Sequence, residues 1–502
     1  MISRRQFLQI TGAGAAGLLT GSMTSLISAG RANAAGQASS EFTPDLDIDL
    51  KASADTIQIL PGSPTSVWRF QGQLLKGDRA SLVNLERSYL GPIIRARTGQ
   101  KVRIRFTNQI ADQTIVHWHG LHVPADMDGH PRLVIPRGET YVYEFEVRNR
   151  AGTYWYHPHP HGLTGPQVYG GLAGLFLVSD DEEKAAGLPS GEYDIPLVLQ
   201  DRSFDRSNQL VYLSGHRMEQ MNGFLGDWIM VNGHPDFRLP VATRAYRLRL
   251  LNGSNSRIYR LAWKDGNPLT VIGSDGGLLE KPVQRPYVML GPGERLELWA
   301  DFSNYKVGSE TALVSLPFDG GTLGGGRMGR GMMGGGVNVL PNGAGFPIFK
   351  IKVNRRTETT STLPQRLSAI NRYDPAEAVN RENPKRFHLV MRHMAWTING
   401  RTFQMEQVAS DERVALNSLE VWEFINEGGG MGMMGAMDMP HPIHLHGMQF
   451  QVLQRRGVTH QGYVDEGWKD TVLLMPGERV RLLVRFGDYP GLYLYHCHNL
   501  EH

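Results

Sequence analysis

A chain of 502 residues with 59 glycines and 20% charged residues is long enough for roughly two to four domains with sizeable buried cores. Its net charge of +3 is accounted for by Arg4, Arg5 and Arg31 within the first 34 residues, which hold no acid, so the remainder carries 49 basic and 49 acidic residues. A neutral body gives no electrostatic footing for nucleic acid or for an anionic membrane surface.

The first 34 residues read as a leader. Ser3-Arg4-Arg5-Gln6-Phe7-Leu8 resembles a twin-arginine export motif. A mild apolar stretch over 10–27 follows, broken by Gly12, Gly14, Gly17 and Gly21, and Ala32-Asn33-Ala34 fits a small-residue cleavage site. The competing reading is a membrane anchor, and dilution by Gly, Ser and Thr weighs against it. Export of a folded chain by this route suits a sequence with one cysteine and therefore no intramolecular disulfide. A periplasmic or otherwise exported protein is expected, with no membrane span in the mature chain, the export machinery as a partner, and a monomeric state.

Internal repetition organises the rest. Lys101-Val-Arg-Ile-Arg-Phe-Thr-Asn108 alternates as a strand ending in Asn, and so do Ala245-Tyr-Arg-Leu-Arg-Leu-Leu-Asn252 and Leu419-Glu-Val-Trp-Glu-Phe-Ile-Asn426. Each is followed by a Pro/Gly turn and a second alternating strand, starting at Pro136, Pro292 and Pro476. Three copies predict an all-β protein of three β-sandwich domains, over 42–179, 193–353 and 387–502. Residues 180–191 form a charged connector, and 354–386, rich in Arg, Thr, Asn and Pro, form a polar linker.

Histidine is scarce, at 18 residues, yet clustered. His117-Trp118-His119 follows the first repeat strand. His157-Pro158-His159 comes next, His441-Pro442-Ile443-His444-Leu445-His446 lies in the third domain, and His496-Cys497-His498 precedes Asn499-Leu500-Glu501-His502. Chance placement yields about 0.6 His-x-His pairs, so four such clusters point to selection for a site. Residues i and i+2 of a strand share a face, so each pair presents two imidazoles in one direction. The run Leu492-Tyr493-Leu494-Tyr495 reads as a buried strand leading into the last cluster. On it Cys497 faces one way while His496 and His498 face the other, so one short segment can serve two metal sites. Thiolate with imidazole is the donor set of a blue copper centre, with a zinc site or chance as the plainer alternatives.

The four motifs, in this order and spread over nearly the whole mature chain, resemble those of the multicopper oxidases, a family that includes laccases and bacterial cuprous oxidases. The resemblance implies three cupredoxin domains, four copper ions as cofactor, and dioxygen as electron acceptor. It implies a blue copper held by His441, Cys497 and His502. It further implies a cluster whose mononuclear position takes His117 and His444, and whose binuclear pair takes His119, His157, His159, His446, His496 and His498. The second domain, with isolated His216 and His234, is expected to be a copper-free spacer. Asp128 matches a position where the family places an acid that helps deliver protons to reduced oxygen; a turn aspartate before Gly129 is the plainer reading. Asp470 is expected to make a structural hydrogen bond, His161 to lie beside the ligands or in solvent, and His122, His130 and His460 to lie on the surface. The resemblance also implies an axial Met or Leu five residues after the last histidine, followed by a closing strand. The sequence stops at His502, so a truncated sequence is expected.

Two glycine-rich stretches bear on the electron donor. One carries Met328, Met332 and Met333; the other carries Met431, Met433, Met434, Met437 and Met439, and ends two residues before His441. A core strand is not half glycine, so these thioethers read as a soft trap for Cu(I), against a plain surface loop that gates access. The expectation is an exported copper oxidase acting on Cu(I) or other metal ions in copper tolerance. The alternatives are a laccase acting on phenols and a non-enzymatic copper-binding or scaffold protein of the same fold.

Overall fold

The repeat becomes three equivalent pieces of hydrogen-bonded geometry. In the structure, a computed structural model that describes residues 38–213, 221–320, 340–358, 361–392, 395–427, 439–458 and 462–502, Lys101–Asn108, Ala245–Asn252 and Leu419–Asn426 are interior strands. Each runs parallel to an earlier strand, Leu46–Ile57, Asp194–Arg202 and Lys385–Arg392 respectively. Each is antiparallel to the strand after its turn, Thr140–Glu146, Arg295–Asp301 and Arg479–Arg485.

The closing asparagine gives the repeat its physical reason. The Nδ2 amides of Asn108, Asn252 and Asn426 donate to Ile135 O, Leu290 O and Leu474 O at 3.0, 2.9 and 3.4 Å. Their backbone carbonyls accept from the N–H groups of Gly138, Gly293 and Gly477 at 2.7, 2.9 and 2.9 Å. Those glycines sit at φ of 89°, 83° and 83°, a left-handed conformation that glycine adopts without a Cβ penalty. One buried amide thus pins strand end and turn together in all three copies.

The described strands form six sheets. In spatial order, Thr65–Lys76, Leu46–Ile57, Lys101–Asn108 and Thr140–Glu146 face the sheet of Leu82–Val83, Ile93–Arg97, Gly174–Ser179, Gly152–Pro158 and Val116–His119 around the core of Ile48, Phe106, Trp118 and Phe176. A seven-stranded sheet running from His234–Pro235 to Gly277–Arg285 and a five-stranded one running from Arg238–Ala242 to Val288–Leu290 enclose Leu248, Leu261, Leu298 and Ile351. The last pair is a five-stranded sheet, from Ala395–Ile398 to Phe450–Arg456, and a three-stranded one of Thr471–Leu474, His441–Leu445 and Tyr495–Cys497, around Phe387, Phe424, Ile443 and Leu482. Smaller clusters weld the sandwiches together. Trp155, Leu175 and Leu177 pack on Met230 and Leu251, and Ile258 and Met289 pack on Tyr463, Leu473 and Met475.

Two expectations need correction. The strand before the last cluster is shorter than the apolar run suggests. It covers Tyr495–Cys497 only, and Leu492, Tyr493 and Leu494 lie outside it and are half-buried. Its partner strand ends at Leu445; His446 N–H still donates to Leu494 O at 2.9 Å, but the chain turns away at Gly447, φ 72°, and the pairing goes no further. His130 is not a surface residue: it is fully buried, its Nδ1 accepting from Arg132 N at 3.1 Å to cap the short turn Pro131–Leu133. Among the described residues no helix is long and apolar enough to cross a membrane. The leader, residues 1–34, lies outside the described residues.

Candidate metal centre

Strand alternation delivers the imidazoles. Val116–His119 pairs antiparallel with Gly152–Pro158, setting His117 opposite His157. Trp118 points the other way, into the core, edge-on to Tyr143 at 5.1 Å. In the third sandwich, His441–Leu445 lies between Thr471–Leu474 and Tyr495–Cys497, setting His444 opposite His496 and Ile443 opposite Cys497. The two His-x-His pairs then interleave: His117 stacks on His446 and His119 on His444, both with centroids 3.7 Å apart.

The hydrogen bonds determine which nitrogen of each ring carries the proton. His117 Nδ1–H donates to Asp128 O at 2.7 Å and His444 Nδ1–H to Asp470 O at 2.9 Å. Their Nε2 lone pairs therefore face each other, 3.3 Å apart. His446 Nδ1–H donates to Asp128 Oδ2 at 2.8 Å and His496 Nδ1–H to Cys497 O at 2.9 Å, so their Nε2 atoms also face, at 3.1 Å. His159 Nε2 completes that group, 3.3 Å from His496 Nε2. His119 Nε2–H donates to Asp470 Oδ1 at 3.1 Å and His157 Nδ1–H to Pro158 O at 2.9 Å, leaving His119 Nδ1 and His157 Nε2 3.4 Å apart. Among the described residues, neither ring nitrogen of the buried His498 has a hydrogen-bond partner. Two facing acceptors repel unless a proton or a metal cation lies between them, and burial opposes the proton. It holds His119, His157, His159, His446 and His498 well below the usual imidazole value, and His496 down to about 3.

On the opposite face of the last strand, Cys497 Sγ lies 3.3 Å from His441 Nδ1 and 3.6 Å from His502 Nδ1. His502 Nε2–H donates to Met221 O at 3.1 Å, which leaves its Nδ1 as a ligand atom. Asn499 N–H points at the sulfur from 3.4 Å. Burial pushes the Cys497 thiol up to about 12 and His441 down to about 3, so both resist becoming ions and a cation is needed to draw out the thiolate. Soft sulfur with two neutral imidazoles, beside a cage of neutral imidazoles with facing lone pairs, fits copper.

Asp128 sits beneath the cage. Its backbone carbonyl orients His117 and its Oδ2 orients His446, while Oδ1 is buried without a hydrogen bond among the described residues. Burial raises its carboxyl above the usual value, and His117 beside it works against that rise. Gly129 must follow it, because a Cβ there stands 2.1 Å from Val116 O.

Around the site stand Asp470, expected from the sequence, and Arg295, Thr471 and Glu501, which the sequence did not single out. Asp470 does make a hydrogen bond, but to two imidazoles at once, through Oδ1 to His119 and through its carbonyl to His444. It is fixed by Arg295, a buried residue of the second sandwich, whose Nη1 lies 2.7 Å from Asp470 Oδ1. Burial raises the carboxyl of Asp470, but the Arg295 guanidinium outweighs it and holds that carboxyl well below the usual range. Thr471 Oγ1 adds a contact to His119 Nε2 at 3.1 Å. Glu501 is gripped by Tyr212 and Asn255 at 2.8 Å each and by Ser256, anchoring the last turn to the second sandwich. Arg295, Thr471 and Glu501 are buried or half-buried polar residues without a periodic pattern, and the sequence carries no signal for their roles.

The remaining candidates lie elsewhere. His161 is exposed, beside Phe403. His122 bonds Gly447 O and Asp488, and His234 bonds Glu86 O. Met439 is described and its side chain is buried, at 2% exposure. Met328, Met332, Met333, Met431, Met433, Met434 and Met437, with His216 and His460, lie outside the described residues. Among the described residues, every group of three metal-capable side chains comes from the first and third sandwiches.

Three sandwiches with a sulfur–imidazole site and an imidazole cage, joined by one strand, carry donor sets that suit copper. Residues 66–183 and 378–502 match family models described as multicopper oxidase, and residues 1–21 match one for the twin-arginine translocation signal. The chain is 31% identical over 432 residues to multicopper oxidase mco of Staphylococcus aureus, spanning 86% of this chain and 83% of that protein. It is 30% identical over 504 residues to a laccase of Bacillus stratosphericus, spanning 88% and 89%. The crystal structure of McoA multicopper oxidase from Aquifex aeolicus matches with a TM-score of 0.75 at 33% identity, covering 92% of this chain and 94% of that one. The chain belongs to the multicopper oxidase family, with cupredoxin-like domains, copper as cofactor, oxygen as electron acceptor, and a signal for export from the cytoplasm.

Proposed function

We propose that His441, Cys497 and His502 hold the mononuclear blue copper, that His117 and His444 hold the single copper of the cluster, and that the binuclear pair is divided between His159, His446 and His496 on one ion and His119, His157 and His498 on the other. The support is the way these lone pairs face one another. Domain boundaries near 42–179, 193–353, 354–386 and 387–502 belong to the same reading. Copper on these ligands supplies one-electron redox chemistry, and four electrons reduce dioxygen to water. The chain does the rest. Cys497 offers its sulfur to one site while its neighbours His496 and His498 face the other, so the backbone of three residues is a covalent path between them. Asp128 holds His117 and His446 in orientation, and its buried Oδ1 is placed to hold or release a proton beside the cage.

The electron donor in this proposal is Cu(I) or another metal ion, in a role in copper tolerance. One observation carries this: His441 is 1% exposed, so its imidazole offers no open edge to a phenol. The Met-rich stretches are the matching feature of the sequence, with soft thioethers that prefer Cu(I). Replacing Met328, Met332, Met333, Met431, Met433, Met434 and Met437 with serine should cut kcat/KM for Cu(I) and leave phenol oxidation intact. A parent-like rate and affinity for Cu(I) would instead favour oxidation of phenols, the reading supported by the likeness to a laccase.

A further inference from the structure

A half-buried indole packs on two of the blue-copper ligands. Trp396, half-buried on the strand Ala395–Ile398, has its ring centroid 4.4 Å from that of His441, edge to face at 74°, and 5.2 Å from that of His502. With His441 Nδ1 turned to the sulfur, its Nε2 carries the proton, and that atom is buried without a hydrogen-bond partner among the described residues. The indole is thus an aromatic ring packed directly on the imidazole whose Nε2–H is buried and unpartnered among the described residues. The ring is tethered as well: Trp396 Nε1–H donates to Met221 O at 2.9 Å, the same carbonyl that accepts from His502 Nε2–H at 3.1 Å. Swinging the indole aside breaks a hydrogen bond on the carbonyl that orients a ligand.

Resting on the blue-copper reading of His441, Cys497 and His502, we infer that Trp396 is the specificity-determining residue of this site. It covers the Nε2–H edge of His441 against planar organic donors. Opening that edge requires displacing a packed aromatic ring and one shared hydrogen bond, a cost that a donor held outside the ring does not meet.

The test compares Trp396→Ala and Trp396→Phe with the parent, all copper-loaded, using 2,6-dimethoxyphenol and Cu(I) as donors. The readout is the ratio of kcat/KM for the phenol to kcat/KM for Cu(I), with blue absorbance and copper content measured on each sample. In the alanine variant the ratio should rise on the order of tenfold. In the phenylalanine variant, whose smaller ring leaves part of the edge uncovered and cannot donate to Met221 O, it should rise by about threefold. A parent-like or lower ratio in variants that stay blue overturns the inference, and the phenylalanine variant decides alone if the alanine variant does not fold. Failure of the underlying assignment looks different: the parent lacks blue absorbance, or Cys497→Ser keeps it.

Discussion

His117 Nε2 and His444 Nε2 face each other 3.3 Å apart, each with its proton committed on the far side of the ring to a backbone carbonyl. The fold has spent its hydrogen bonds on orienting acceptors toward one point, and a cation relieves the repulsion. Copper should therefore stabilise the folded chain. At free copper one hundred times Kd, a single site adds about 2.7 kcal/mol. Calorimetry of metal-free and copper-loaded protein checks this, and identical unfolding temperatures would count against a preformed site.

Acid should destabilise the metal-free protein. The folded values of His441 and His496 lie at about 3 and that of His130 at about 4, below the ordinary 6.5, because burial disfavours the imidazolium. Between 6.5 and those values the unfolded chain binds protons that the folded chain refuses. The contribution is thus complete above pH 6.5 and is lost as pH falls through that window, by up to about 1.4 kcal/mol per pH unit for each group. Denaturant melts of metal-free protein from pH 7.5 to 4.5 measure it; a flat profile would show that the imidazoles titrate freely in the folded state.

Cys497→Ser should abolish the blue absorption and turnover while the cage retains its copper, since the cage histidines keep their own hydrogen bonds. Absorption spectra paired with metal analysis decide it. Retained colour would move the blue site elsewhere.

Arg295→Met strands the buried Asp470 carboxylate and should cost about 3–5 kcal/mol. Combining it with Asp470→Leu removes both charges and should recover part of that stability, although His119 loses its acceptor and copper content should fall. Equal stability of the single and double variants would mean that the pair is not coupled.

Asp128→Asn should keep the blue band and slow oxygen reduction by about a hundredfold if the carboxyl handles a proton. Transient reoxidation of the fully reduced enzyme isolates that step. An unchanged rate leaves Asp128 as an orienting residue only.

Local chemistry made much of this protein legible from the sequence. Period-two alternation marked the strands ending in Asn108, Asn252 and Asn426, and it placed His496 and His498 opposite Cys497, because a strand imposes that geometry whatever surrounds it. The signal for export is likewise a short linear pattern. Only the tertiary structure decided what depends on neighbours distant in the chain. Pro292-Gly-Glu-Arg295 and Pro476-Gly-Glu-Arg479 are the same four residues in the same turn, yet Arg295 is 1% exposed and clamps Asp470 while Arg479 stands in solvent. Nothing in either segment separates them. What does is which sandwich packs against the strand that follows; the burial of His130 and the contact of Trp396 with His441 likewise depend on residues far away in the chain.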